Sequence, residues 1–151
     1  MSNPLLTTAR KLTRSADKPR QSDLKRAVST AYYAMFNFLA RECADLLIGT
    51  GKSRGQPAWG HVHRALEHGH AKNACAQTAN LGFPNGIIEF ANMFVALQEQ
   101  RHNADYDPSI RYSRAETIQL IDAAELAINE FKSAPRPDRR AFAVLVLLKK
   151  R

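Results

Sequence analysis

An arginine, a histidine and a tyrosine stand close together in the segment 101–108, which reads RHNADYDP. A guanidinium group presents several N–H donors that match the oxygens of a phosphate or a carboxylate. Histidine is the natural acid or base near neutral pH. Arg101, His102 and Tyr106 are therefore candidate functional residues.

The same segment continues an apolar pattern. The helix predicted before it carries a stripe that consists of Ile87, Phe90, Phe94 and Leu97. Further steps of four residues reach Arg101 and then Asp105, whereas His102 and Tyr106 point about a quarter turn away. A charged pair at the end of a buried stripe is unusual. It indicates either a structural ion pair or a functional cluster at the mouth of a groove, and both interpretations stay open.

Neither a metal site nor a phosphate-binding loop is predicted elsewhere. Four histidines in one region, His61, His63, His68 and His70, pair only at seven-residue spacing. Two helical turns are too far apart for one ion, so we expect these side chains to face solvent. The stretch GTGKSRG at 49–55 lacks the spacing of a Walker A loop and is interpreted as a basic loop. The sequence thus predicts no metal and no cofactor.

The charge balance favours an anionic partner. The sequence has 22 lysines and arginines against 14 aspartates and glutamates, a formal net charge of +8. Such a chain is attracted to RNA or DNA, because binding releases counterions. A merely soluble basic protein is the alternative, and charge alone supports both equally. The basic residues are spread out, so the basic amphipathic helix of a membrane-surface protein is not indicated.

Other features of the composition indicate a globular cytoplasmic protein. Hydrophobic residues make up 44% of the chain. No apolar run reaches the roughly 18 residues of a membrane helix, and the first residues lack the pattern of an export signal. Cys43 and Cys75 stand in apolar surroundings without metal-ligand spacing. We expect them to be buried free thiols in a reducing compartment.

The hydrophobic periodicity predicts a single all-α domain over residues 1–151, an up-and-down bundle of five to six helices. Ser113 and Glu116 form a capping box that opens one of these helices. The segment 71–82 is ambiguous, and 50–58 is predicted to be a loop. The tail 134–151 could be a helix or a strand; we favour a helix that packs on the bundle or on a partner. The remaining helices are predicted at about 4–14, 22–48, 59–70, 84–104 and 113–132.

Two segments together resemble the HEPN superfamily. Residues 26–36, RAVSTAYYAMF, are similar to the R-x-x-S-x-A-Y-Y-A-x-F helix of many bacterial HEPN proteins. Residues 101–107, RHNADYD, resemble the motif helix of one HEPN subgroup. The resemblance extends roughly over residues 5–131. It implies a HEPN-like helical bundle that forms a homodimer by pairing its motif helices.

The resemblance also implies an activity. Many HEPN proteins are metal-independent endoribonucleases of toxin–antitoxin, CRISPR-linked or phage-defence systems, with an Arg followed four to six residues later by a His. Arg101 matches that arginine, and the resemblance implies that it stabilises the negative charge that develops on phosphorus during RNA cleavage. Positions 105–107 carry Asp, Tyr and Asp, so the nearest histidine is His102. Metal-free cleavage needs the 2′-hydroxyl deprotonated and the leaving 5′-oxygen protonated, so the implied catalytic residues are Arg101 and His102, with Tyr106 as an assisting group. The implied partners are RNA, a second copy of the chain, and an antitoxin or nucleotidyltransferase. The implied binding residues are Tyr33, Asn37, Asn103 and Asp105.

Two alternatives to a ribonuclease remain. One is a non-catalytic HEPN module that dimerises and binds RNA, a nucleotide or a protein, in which Arg101 and Asp105 form a buried pair at the interface. The other is a structural bundle without a role in nucleic-acid binding.

Overall fold

The chain is all-helical in the computed structural model, which describes residues 3–51 and 55–150. No β-strand occurs within these two ranges, which confirms the predicted all-α class. The described residues form seven α-helices, more than the five to six predicted. They are α1 (Pro4–Thr13), α2 (Gln21–Ile48), α3 (Gln56–Ala65), α4 (His68–Ala76), α5 (Asn85–Tyr106), α6 (Arg114–Lys132) and α7 (Arg136–Leu147), with a short 3-10 helix at Thr78–Leu81.

The additional helix arises because the predicted helix 59–70 is divided. Leu66 and Glu67 adopt extended conformations, with ψ angles of 126° and 136°. The side chain of Leu66 is buried, so the turn is anchored in the core. The ambiguous segment 71–82 supplies most of α4 and the 3-10 helix. Helix α3 begins earlier than predicted, because a proline is well tolerated in a first turn; residues 52–54 of the predicted loop lie outside the described residues.

Helix α2 is the central element. It packs against α1, α3, α5, α6 and α7. Small side chains such as Ala27, Ala31 and Ala34 let neighbouring helices approach closely, while Tyr32 and Met35 fill the space between them; all five are fully buried. This arrangement explains why the aromatic and apolar residues of 22–48 cover more than one face. Burying a large apolar side chain stabilises the fold by about 1.5–3 kcal/mol.

An aromatic cluster joins α5, α6 and α7. The rings of Phe90 and Phe131 lie 4.9 Å apart, and Phe142 contacts both at 6.3 Å and 5.7 Å. The predicted stripe on α5 is confirmed, since its four apolar residues are completely buried. The predicted start of α6 is also confirmed: the Ser113 hydroxyl accepts a 3.0 Å hydrogen bond from the Glu116 N–H.

The C-terminal tail forms a helix, as favoured from its sequence. Helix α7 buries Phe142, Ala143 and Val146 and packs mainly on α2 and α4. The two cysteines are buried free thiols. Burial raises the pKa of Cys43 and of Cys75 to about 12, so both remain protonated at neutral pH. No helix within the two described ranges has the length and apolarity needed to cross a membrane.

Candidate functional site

Arg101 is held against two tyrosines of α2. Its Nη2 donates a 2.9 Å hydrogen bond to the Tyr33 hydroxyl. The guanidinium carbon lies 5.4 Å from the centre of the Tyr33 ring and 5.8 Å from that of Tyr32, within cation–π range. The Arg101 side chain is only 20% exposed. The residue that follows Leu97 in the predicted stripe is thus a cation that aromatic contacts hold in place, and it also lines a pocket between α4 and α5.

Asp105 completes the fixation of this arginine. Its Oδ2 lies 3.2 Å from Arg101 Nε, as an ion pair whose N–H does not point at the oxygen well enough for a hydrogen bond. The same oxygen accepts a 3.4 Å hydrogen bond from the Ser29 hydroxyl. Ser29 and Tyr33 belong to the segment 26–36, and Arg101 and Asp105 to the segment 101–107. The fold therefore brings the two segments into direct contact.

A pocket of about 180 Å³ opens beside the guanidinium, between α4 and α5. Lys72 forms a 3.5 Å ion pair with Glu99 at its edge, so one cation of the pocket is already balanced. No hydrogen bond among the described residues uses Arg101 Nη1. The guanidinium therefore has donors left for an oxygen ligand. The pocket is lined by Lys72, Gln98, Glu99, Arg101, His102 and Asn103.

His102 and Tyr106 form an exposed aromatic pair on the next face of α5. Their ring centres lie 4.9 Å apart, in keeping with a spacing of four residues along a helix. Tyr106 is 66% exposed, the most accessible of the large hydrophobic residues in the part of the chain that the structure describes. The pair can present an imidazole and a phenol ring to a ligand beside Arg101.

The candidate binding residues divide into two groups. Tyr33 and Asp105 contact Arg101 directly, and Asn103 lines the same pocket. Asn37 is placed elsewhere: it is exposed on α2 and lines a separate groove of about 500 Å³ with Leu5 and other residues of α1, α2, α3 and α6. The predicted site is thus assembled without Asn37.

His68 packs against the two tyrosines that hold Arg101, although the sequence predicts a solvent-facing side chain. That prediction is wrong for His68, because its ring stacks on Phe36 at 3.9 Å and its Nδ1 lies 2.6 Å from the Tyr32 hydroxyl. The histidine pairing at seven-residue spacing also fails, since α3 ends before His68. The sequence offers one indication of this contact. Tyr32 and Phe36 are four residues apart, so they form an aromatic face on α2 that a residue of another helix must cover.

The other three histidines of this region lie apart from the site. His61 is exposed, His63 stacks on Trp59 at 5.1 Å, and His70 contacts the Leu148 carbonyl at 3.2 Å. Over residues 3–51 and 55–150, no three or more His, Cys, Asp or Glu side chains are grouped closely enough to hold a metal ion.

No family model matches the chain, and no curated protein or solved structure matches it significantly.

Proposed function

We propose that the protein is a HEPN-like homodimer that acts on RNA, with Arg101 as the phosphate-binding residue. The observation that supports this most directly is the way in which the Arg101 side chain is held beside a pocket. Tyr33, Tyr32 and Asp105 restrict its side chain on one side, while a pocket that also contains His102 opens on the other. A restricted guanidinium binds a phosphate oxygen with little additional loss of side-chain entropy.

The proposed reaction is metal-independent cleavage of the RNA backbone. The 2′-oxygen attacks the adjacent phosphorus and the bond to the 5′-oxygen breaks, which leaves a 2′,3′-cyclic phosphate and a 5′-hydroxyl. One His102 accepts the proton of the 2′-hydroxyl, and His102 of a second copy of the chain donates a proton to the 5′-oxygen. Arg101 stabilises the charge on phosphorus. Tyr106, whose ring touches His102, orients the imidazole.

A second candidate function is a non-catalytic HEPN module, and one observation favours it. The Arg101–Asp105 ion pair reduces the positive charge available at the site. In this alternative the pair is structural, and the surface around it binds RNA without cleavage, a nucleotide or a protein partner. A cytoplasmic antitoxin or a nucleotidyltransferase is the partner proposed for either function.

The test is RNA cleavage by the purified protein in EDTA, with a labelled single-stranded RNA of mixed sequence as substrate. We expect wild type to produce fragments that end in 2′,3′-cyclic phosphate. Arg101→Ala and His102→Ala should remove this activity. Arg111→Ala and His61→Ala are matched controls, since both residues are exposed and lie outside the pocket.

The outcomes separate the two candidates. Salt-dependent RNA binding without cleavage, weakened by Arg101→Ala, supports the non-catalytic module. Failure of wild type to bind or cleave RNA overturns the proposal. Sedimentation velocity tests the homodimer, because a protein that stays monomeric at micromolar concentration cannot combine two copies of His102.

A further inference from the structure

His68 is the first residue of α4, and its imidazole is enclosed by aromatic rings of α2. It stacks nearly parallel on Phe36, with 15° between the ring planes. The Tyr33 ring meets it edge-on at 5.9 Å, and the Tyr32 ring lies 5.6 Å away. The Gln98 side chain donates a 3.3 Å hydrogen bond to the His68 carbonyl. Both the ring and the backbone of this residue are therefore held in place.

The Tyr32 hydroxyl determines which ring nitrogen carries the proton. Tyr32 is completely buried, and its hydroxyl lies 2.6 Å from His68 Nδ1. Within the described residues, this hydroxyl has no other hydrogen-bond partner. A buried O–H left without an acceptor is costly, so the hydroxyl donates to Nδ1. Nδ1 is then unprotonated, and the hydrogen of the neutral imidazole is on Nε2.

The surroundings keep this imidazole neutral. A second proton would have to enter at Nδ1, where it would face the hydroxyl hydrogen of Tyr32. Burial, and next the positive charge of Arg101, lower the pKa of His68. Helix α2 faces the ring with the aromatic side chains of Tyr32, Tyr33 and Phe36, and the charge of Arg101 on α5 acts on it. No carboxylate among these groups offsets the charge of an imidazolium.

The Nε2 donor of His68 is not buried, since the buried side-chain atoms without a hydrogen-bond partner among the described residues are Gln98 Oε1 and Arg101 Nε. Nε2 lies across the ring from Nδ1, so it points away from the buried hydroxyl, and no described residue accepts a hydrogen bond from it. His68 and Arg101 flank the same Tyr33 ring, one through an edge contact and one through a hydrogen bond. Lys72, one turn further along α4, lines the pocket beside Arg101.

We propose that His68 is a second RNA-contacting residue, which uses its neutral Nε2–H to donate a hydrogen bond to a phosphate oxygen of the RNA held by Arg101. This inference rests on the proposed function. It assigns to His68 a binding role that requires no proton transfer, in contrast to His102.

The test compares two amides that imitate different halves of the imidazole. Glutamine at position 68 places an N–H near the position of Nε2, whereas asparagine reaches only the position of Nδ1. With a fluorescent single-stranded RNA in EDTA, His68→Asn should weaken binding about tenfold, the effect of losing one hydrogen bond to a charged group. His68→Gln should stay within about threefold of wild type on the same scale. Equal losses in both variants, or none in either, overturn the inference.

A measurement on unmodified protein tests the tautomer without RNA. The ¹⁵N chemical shifts of the two His68 nitrogens at pH 7 should identify Nδ1 as unprotonated and Nε2 as N–H. A protonated Nδ1 overturns the inference and leaves the proposed function intact. If wild type binds no RNA, the proposed function fails and the RNA contact of His68 fails with it. If wild type binds RNA but His68→Asn binds equally well, the inference alone fails.

Discussion

The Tyr33 hydroxyl accepts a 2.9 Å hydrogen bond from Arg101 Nη2 and thereby joins the middle of α2 to the C-terminal part of α5. The two residues are separated by 68 positions in the chain. Tyr33 lies in the segment 26–36 and Arg101 in the segment 101–107, the two segments on which the predicted HEPN resemblance is based. Their contact links the segments in a physical sense: the tyrosine helix orients the arginine that we propose as the phosphate ligand.

Removing only the Tyr33 hydroxyl should make the Arg101 side chain more mobile without leaving a cavity in the core. Tyr33→Phe keeps the ring and its contact with the guanidinium but loses one partly buried hydrogen bond. We expect the free energy of unfolding to fall by about 0.5–1.5 kcal/mol and RNA affinity to fall severalfold. Urea denaturation and RNA titration measure the two effects. Tyr106→Phe is the control for stability, because that hydroxyl is exposed. Unchanged RNA affinity in Tyr33→Phe would show that the hydrogen bond does not orient Arg101 for binding.

Neutralising Asp105, the carboxylate paired with Arg101, should increase the affinity for RNA. Asp105→Asn retains an oxygen for Ser29 but removes the negative charge beside Arg101. We expect RNA binding to become severalfold tighter, while stability changes by less than about 1 kcal/mol because the pair is partly exposed. Asp122→Asn makes the same charge change in the surface pair with Arg10, outside the pocket beside Arg101. If Asp105→Asn instead dissociates a dimer, the structural role of the pair is supported.

Two glycines at equivalent helix positions should respond differently to alanine. Gly86, second in α5, would place a Cβ 2.6 Å from the Glu130 carbonyl oxygen of α6. The helices must separate to accept it, so Gly86→Ala should destabilise the fold by about 1–3 kcal/mol. A Cβ at Gly69, second in α4, would meet no other atom within 4 Å. Gly69→Ala should therefore stabilise the fold by up to about 1 kcal/mol. Thermal or urea unfolding measures both. Equal responses would mean that α5 and α6 do not approach closely at Gly86.

His68 should make stability depend on pH in a defined direction. Its pKa in the folded protein is lowered from 6.5 by burial and by Arg101. The unfolded chain therefore takes up a proton at a higher pH than the folded protein does. The free energy of unfolding should fall as the pH drops through the ordinary histidine pKa and level off below the folded one. Urea denaturation between pH 7.5 and 5.0 measures this fall. The fall in the free energy of unfolding should be smaller in His68→Gln. An identical pH profile in this variant would show that His68 does not cause the pH dependence.

Much of the helical framework could be predicted from local patterns. The repeat of apolar residues in α5 locates its buried face, and Ser113 with Glu116 locates the start of α6. Arg101 could also be selected, because a cation where the repeat requires an apolar residue is visible in the sequence. The contact between His102 and Tyr106 follows from their spacing of four residues on one helix.

The rest of the site depends on which elements meet in space. The spacing along α2 does not reveal that Tyr33 rather than Asn37 faces Arg101, because both lie on one side of the helix and only the position of α5 distinguishes them. His68 was missed for a similar reason. Its neighbours Tyr32 and Phe36 belong to another helix, and the extended residues Leu66 and Glu67 end the helical register on which the histidine spacing was judged.

That extended pair also affects how the chain tolerates length variation. In an uninterrupted helix, one inserted residue turns everything downstream by about 100°. Here Leu66 and Glu67 interrupt the register, and the buried Leu66 side chain acts as a local anchor. Insertions or deletions within α3 can therefore be absorbed before α4 begins. The length of α3 can vary while the imidazole of His68 keeps its orientation towards Tyr32.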